Sequence, residues 1–160
     1  MFYGPEWERL RQMLLAGHDG THVEIAPVGY EFPVAEDGYD LNWLTVRAKV
    51  TTNGARWGGS APCLLTWELA GLCEWLAAQA SSVEPAEAAL DFLEPELEFC
   101  VVERTDSALT LRVITRHGLA GLWGTRPEDD ERSVEVTLSR EAVAQAAADL
   151  ALEAKAFPQR

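Results

Sequence analysis

The stretch that decides the fold is Pro62–Gln79, PCLLTWELAGLCEWLAAQ. Leu65, Leu69, Leu72 and Leu76 recur at helical spacing and stack into one apolar stripe. Pro62 suits the entry to a helix, and Ser81-Ser82 ends the run. Trp67, Gly71 and Ala78 collect on the opposite side. A helix apolar on two sides is expected to be covered on both, by a sheet and by something else.

Outward from that helix the pattern changes to period two. Upstream, Leu44, Val46, Ala48 and Val50 alternate with Trp43, Thr45, Arg47 and Lys49 within Leu41–Thr51. Asn53-Gly54 then predicts a hairpin into a strand around Ala55–Gly59. A further strand is expected from Val23 to Phe32, and a helix over residues 5–16, with Trp7, Leu10 and Leu14 inward. Downstream, Leu90–Leu93 is a short extended piece, and Glu96–Arg104 alternates with Leu97, Phe99 and Val101 on one face. Leu109, Leu111 and Val113 mark the next strand, and Val134, Val136 and Leu138 the last. Ser139 is a good N-cap for a helix carrying Val143, Ala147, Leu150, Ala154 and Phe157, which Pro158 ends. No internal repeat shows in the residues.

This order predicts an α+β fold: one mostly antiparallel sheet of about six to seven strands, with the central and C-terminal helices packed on it. Residues 1–20 are expected to add an N-terminal helix, and residues 1–160 to form a single domain.

Composition narrows the function classes. The net charge of -13 argues against nucleic acid as partner, because phosphate contacts rest on Lys and Arg. No signal peptide opens the chain, and no apolar run is long enough to span a bilayer, so a cytoplasmic protein without membrane contact is expected. Cys63, Cys73 and Cys100 form no CxxC pair and fit free thiols in a reducing compartment. His18 and His22 are four apart, but the Asp19-Gly20 turn between them removes the helical geometry, and no third metal ligand is evident. The acidic turn Glu36–Asp40 lacks the spacing of an EF-hand loop. No nucleophile motif, phosphate loop or zinc motif occurs. No catalytic residue, cofactor or metal is therefore assigned.

Charge is unevenly spread. Between Arg56 and Arg104 there is no Lys or Arg, yet Glu68, Glu74, Glu84, Glu87, Asp91, Glu94, Glu96, Glu98 and Glu103 all fall there. Glu36, Asp37 and Asp40 form a second group, and Glu128-Asp129-Asp130-Glu131 a third. Trp123 lies in the Gly-rich loop His117–Glu131, longer than most connections, where a Trp either tucks under the domain or anchors an interface.

Gly29-Tyr30-Glu31-Phe32-Pro33-Val34-Ala35-Glu36-Asp37-Gly38-Tyr39-Asp40-Leu41-Asn42-Trp43-Leu44 resembles the WapI-type immunity proteins of bacteria. The likeness continues at Pro62–Leu69 and at Phe92–Phe99 and covers roughly residues 23–157. The resemblance implies a small cytoplasmic protein that neutralises a delivered toxin by binding it, with no catalytic residues to carry over. Many such toxin domains are basic nucleases, which an acidic surface could cover.

A protein partner, of the basic toxin class, is thus the leading expectation. Glu36, Asp37, Asp40, Trp123, Asp129, Asp130 and Glu131 are the expected contacts. Two alternatives stay open. One is a ligand-binding or enzymatic domain with a pocket near Trp43, Trp67 and Cys100. The other is a scaffold, for instance a homodimer, self-associating through Trp67, Gly71 and Ala78.

Overall fold

The computed structural model describes residues 12–81, 87–121 and 130–160. Its strands are β1 (Met13–Ala16), β2 (His22–Tyr30), β3 (Trp43–Thr51), β4 (Arg56–Leu65), β5 (Ala89–Leu90), β6 (Leu97–Arg104), β7 (Ala108–Arg116) and β8 (Glu131–Ser139). Helix α1 (Thr66–Ser81) follows β4 without a loop, and α2 (Arg140–Ala154) follows β8 in the same way. The strands form two four-stranded antiparallel sheets, ordered β1-β2-β3-β4 and β5-β6-β7-β8. The fold is α+β, as expected, but the eight strands make two sheets rather than one of six or seven. The order ββββα occurs twice, a repeat of elements that no repeat of residues announces.

Strand faces follow the alternation. Val46, Ala48 and Val50 of β3 are buried, as are Leu109, Leu111 and Val113 of β7. The leucine stripe of α1 is buried at Leu69, Leu72 and Leu76, and Val143, Ala147 and Leu150 of α2 face the same core. The helices pack on each other, and α2 also lies on β1 and β2 of the other half. In exchange, Trp75 of α1 stands 6.1 Å from Phe99 of β6 and donates its Nε1 hydrogen to the Glu87 carbonyl. The core is one continuous apolar cluster lined by both sheets and both helices.

Three local expectations are corrected. Met13–Ala16 is a strand paired with β2, not the end of a helix over 5–16, whose residues 5–11 lie outside the described residues. Met13 and Leu15 are buried while Leu14 and Ala16 are exposed, a period of two too short to stand out beside the helical pattern before it. Pro62 does not start a helix, because β4 continues through Leu65. β4 is an edge strand, so a residue without an N–H sits in it at little cost. Finally, the second face of α1 is not covered: Trp67 and Ala78 are exposed, and a Cβ at Gly71 would meet nothing within 4 Å among the described residues.

Candidate partner-binding site

Between β2 and β3 the chain leaves the first sheet for residues 31–42 and returns through a short 3-10 turn at Asp40–Asn42. Asp37 bends this loop by accepting the Tyr39 N–H at 2.8 Å. Asn42, almost fully buried, joins the loop to two distant parts of the chain. Its Nδ2 donates to the carbonyls of Gly38 (2.9 Å) and Arg160 (3.0 Å). Its Oδ1 accepts from Thr66 Oγ1 at 3.0 Å and from the Arg160 N–H at 2.8 Å. The Arg160 guanidinium lies 3.8 Å above the Tyr30 ring and donates to the carbonyls of Phe32 (2.6 Å) and Leu41 (3.0 Å).

The loop is therefore held through its backbone, and its side chains are left outward. Phe32 and Tyr39 are exposed and Val34 is 84% exposed. Tyr39 stands edge-on to Trp43 (6.4 Å) and to Trp67 (5.4 Å), which is 41% exposed at the start of α1. Glu68 draws a further segment in: Oε1 accepts the Leu65 N–H, capping α1, and Oε2 accepts the Leu93 N–H at 2.8 Å. Leu93 is itself 64% exposed. A shallow cleft of about 170 Å³, lined by Glu31, Phe32, Trp43, Pro62 and Glu94, runs between these groups.

Glu36 and Asp37 are exposed and Asp40 is half-buried. Among the described residues none of the three takes part in an ion pair; the pairs are Arg112–Glu135, Arg116 with Glu98 and Glu131, and His117–Asp130. Arg104 and Arg140 are spent instead on the Gln79 carbonyl near the end of α1. The surface thus combines apolar rings with unneutralised carboxylates.

The other expected contacts divide. Trp123 and Asp129 lie outside the described residues. Glu131 joins Arg116 at 2.8 Å, and Arg116 also donates to the Pro95 carbonyl, beside Glu94 of the cleft. Asp130 is only 2% exposed, so it is not an open contact. Its Oδ2 lies 2.5 Å from His117 Nδ1, and His117 takes the left-handed backbone (φ 54°) that brings the two together. The sequence offers no sign of this pair, whose members are separated by the loop. No nucleophile hydrogen-bonds to His117 among the described residues.

Alternative chemistry finds little support in the geometry. Burial pushes the Cys63 thiol far up, with Glu96, Glu68 and Glu94 adding to it, and pushes Cys73 up to about 11. Cys100 sits on β6 across from Arg112, whereas Trp43 and Trp67 meet at Tyr39. No group of three His, Cys, Asp or Glu among the described residues could hold a metal ion. No described helix is long and apolar enough to cross a membrane. What the sequence does not show is the aromatic half of the surface: helical spacing puts Trp67 on a face expected to be covered, and only the tertiary contact with Tyr39 puts it beside the acids.

The model of the immunity protein WapI-like family matches residues 13–158. The chain belongs to this family. The match begins at Met13, ahead of the Val23 expected from the resemblance, so β1 lies inside the family region rather than in an N-terminal addition. No curated protein and no solved structure matches this family member.

Proposed function

We propose that the chain neutralises a toxin domain in the cytoplasm by binding and occluding it, with no chemistry of its own. The observation that carries this reading is the exposed group Phe32, Val34, Tyr39, Trp67 and Leu93, set among the carboxylates of Glu36, Asp37 and Asp40, which make no ion pair among the described residues. Aromatic anchors beside polar groups are what binding hot spots are made of, and the local concentration of negative charge steers a basic partner toward them. Family membership supports the toxin as that partner. Trp123 and Asp129–Glu131 extend the contact in this proposal, with Asp130 acting through His117 rather than directly.

The test first captures the partner by pull-down from a strain carrying the neighbouring genes and then measures binding to that purified partner. Glu36→Lys, Asp37→Lys and Asp40→Lys together should slow association by about tenfold or more at low salt, and the difference should shrink in high salt. Trp67→Ala should speed dissociation and cost about 2 kcal/mol of affinity. If surface plasmon resonance shows neither change, the occluding surface lies elsewhere.

A further inference from the structure

The outer face of the first sheet carries the opposite charge. Arg47 and Lys49 of β3 project from it, and Arg56 of β4 lies level with Thr51, two residues further along β3. Together they line a cleft of about 540 Å³. Its floor is low, because Gly58 and Ser60 face Lys49 and Arg47 across the strand pair. Gly58 is required there for its own reasons, since at φ 153° a Cβ would come 2.1 Å from the Ala48 carbonyl oxygen.

These cations are unusual in this chain. The described arginines 104, 112, 116, 132, 140 and 160 are all engaged with carbonyls, carboxylates or a Trp57 ring. Arg47, Lys49 and Arg56 make no ion pair among the described residues. Glu24 stands opposite Lys49, and Glu153 is near enough to Arg47 for their charges to act on each other; together they lower the local charge but leave the cations in excess. In a protein of net charge -13, a cationic cleft is a local reversal rather than a trend.

We propose that this face binds an extended acidic segment of another protein. Neighbours on one face of a strand are about 6.8 Å apart, so Arg47, Lys49 and the level of Arg56 form a row about 14 Å long. An extended peptide repeats its own side chains at that same interval, so carboxylates at alternate positions meet the three cations in turn. A lone phosphate or carboxylate spans only one step of the row. A long polyanion such as nucleic acid overruns it and meets the net negative charge beyond. This site is independent of the 31–42 surface and does not rest on the toxin reading.

The experiment titrates ¹⁵N-labelled protein with the peptide Glu-Ser-Glu-Ser-Glu, with Ser-Ser-Glu-Glu-Glu, and with a short single-stranded DNA. The alternating peptide should shift amides of residues 47–51 and 56–60 saturably and bind more tightly than the block peptide or the DNA. Arg47→Glu with Lys49→Glu should weaken it by about tenfold, and Arg56→Gln, a milder change, by about threefold. Glu36→Lys with Asp37→Lys should leave it unchanged. Absence of saturable shifts, undiminished affinity in the Arg47→Glu/Lys49→Glu protein with native amide dispersion, or preference for the DNA would each overturn the proposal.

Discussion

Glu153 shows how much one half-buried side chain can set. Its Oε2 is buried without a partner, and the carboxylate accepts the Met13 backbone N–H. Burial above all, with Asp149 adding to it, lifts its pKa from 4.5 to about 7, against the opposing pull of the Met13 bond and Arg47. An acid with a raised folded pKa binds its proton more tightly in the native state. Its contribution to stability is therefore complete below about pH 4.5, is lost as pH climbs towards about 7, and is absent above. Glu153→Gln should remove that dependence. Calorimetry should find the variant gaining melting temperature over wild type steadily from pH 4.5 to 7, and a constant difference would refute this account. At the same scale, Ser139 was legible as a helix cap and does accept the Ala142 N–H, because capping needs only neighbours in sequence. The Glu153 shift was not legible, since it depends on a strand more than a hundred residues earlier.

Among elements, the 31–42 loop is the one most dependent on remote support. Arg160 supplies that support through three loop carbonyls, the Tyr30 ring and the Asn42 side chain. Arg160→Ala should speed amide hydrogen exchange in residues 31–42 by about tenfold while leaving β6 and β7 unchanged, and Arg160→Lys should restore little, lacking the planar fork. Uniform exchange in wild type and variant would mean that the loop orders itself. Strands were the easiest elements to read, as at β3 and β7, where alternation continues for a whole strand. β1 and the last turn of β4 were not, because partners far away override a short local pattern.

For the whole molecule, the two ββββα halves meet where backbones come nearly into contact. A Cβ at Gly59 of β4 would lie 2.1 Å from the Gly118 carbonyl oxygen, and Trp57 donates to Thr115 Oγ1 beside it. Gly59→Ala should force the halves apart and cost roughly 1–3 kcal/mol in urea denaturation. A neutral result would show that the junction yields freely. The helices make the same point about cooperativity: α2 packs on β1 and β2 of the other half, the two helices pack on each other, and Trp75 of α1 meets Phe99 of β6, so the halves share one core.

By itself the sequence determined the fold class, the faces of β3, β7 and β8, the cores of both helices and the concentration of acid in the 31–42 turn. Each of these follows from spacing between near neighbours, which the chain carries with it. Tertiary structure alone decided that there are two sheets rather than one, that Trp67 is open beside Tyr39, that Asp130 turns inward to His117, and that three cations share a face. Those facts depend on which strands pair and where distant backbone comes to rest, and pairing is settled by the whole core at once.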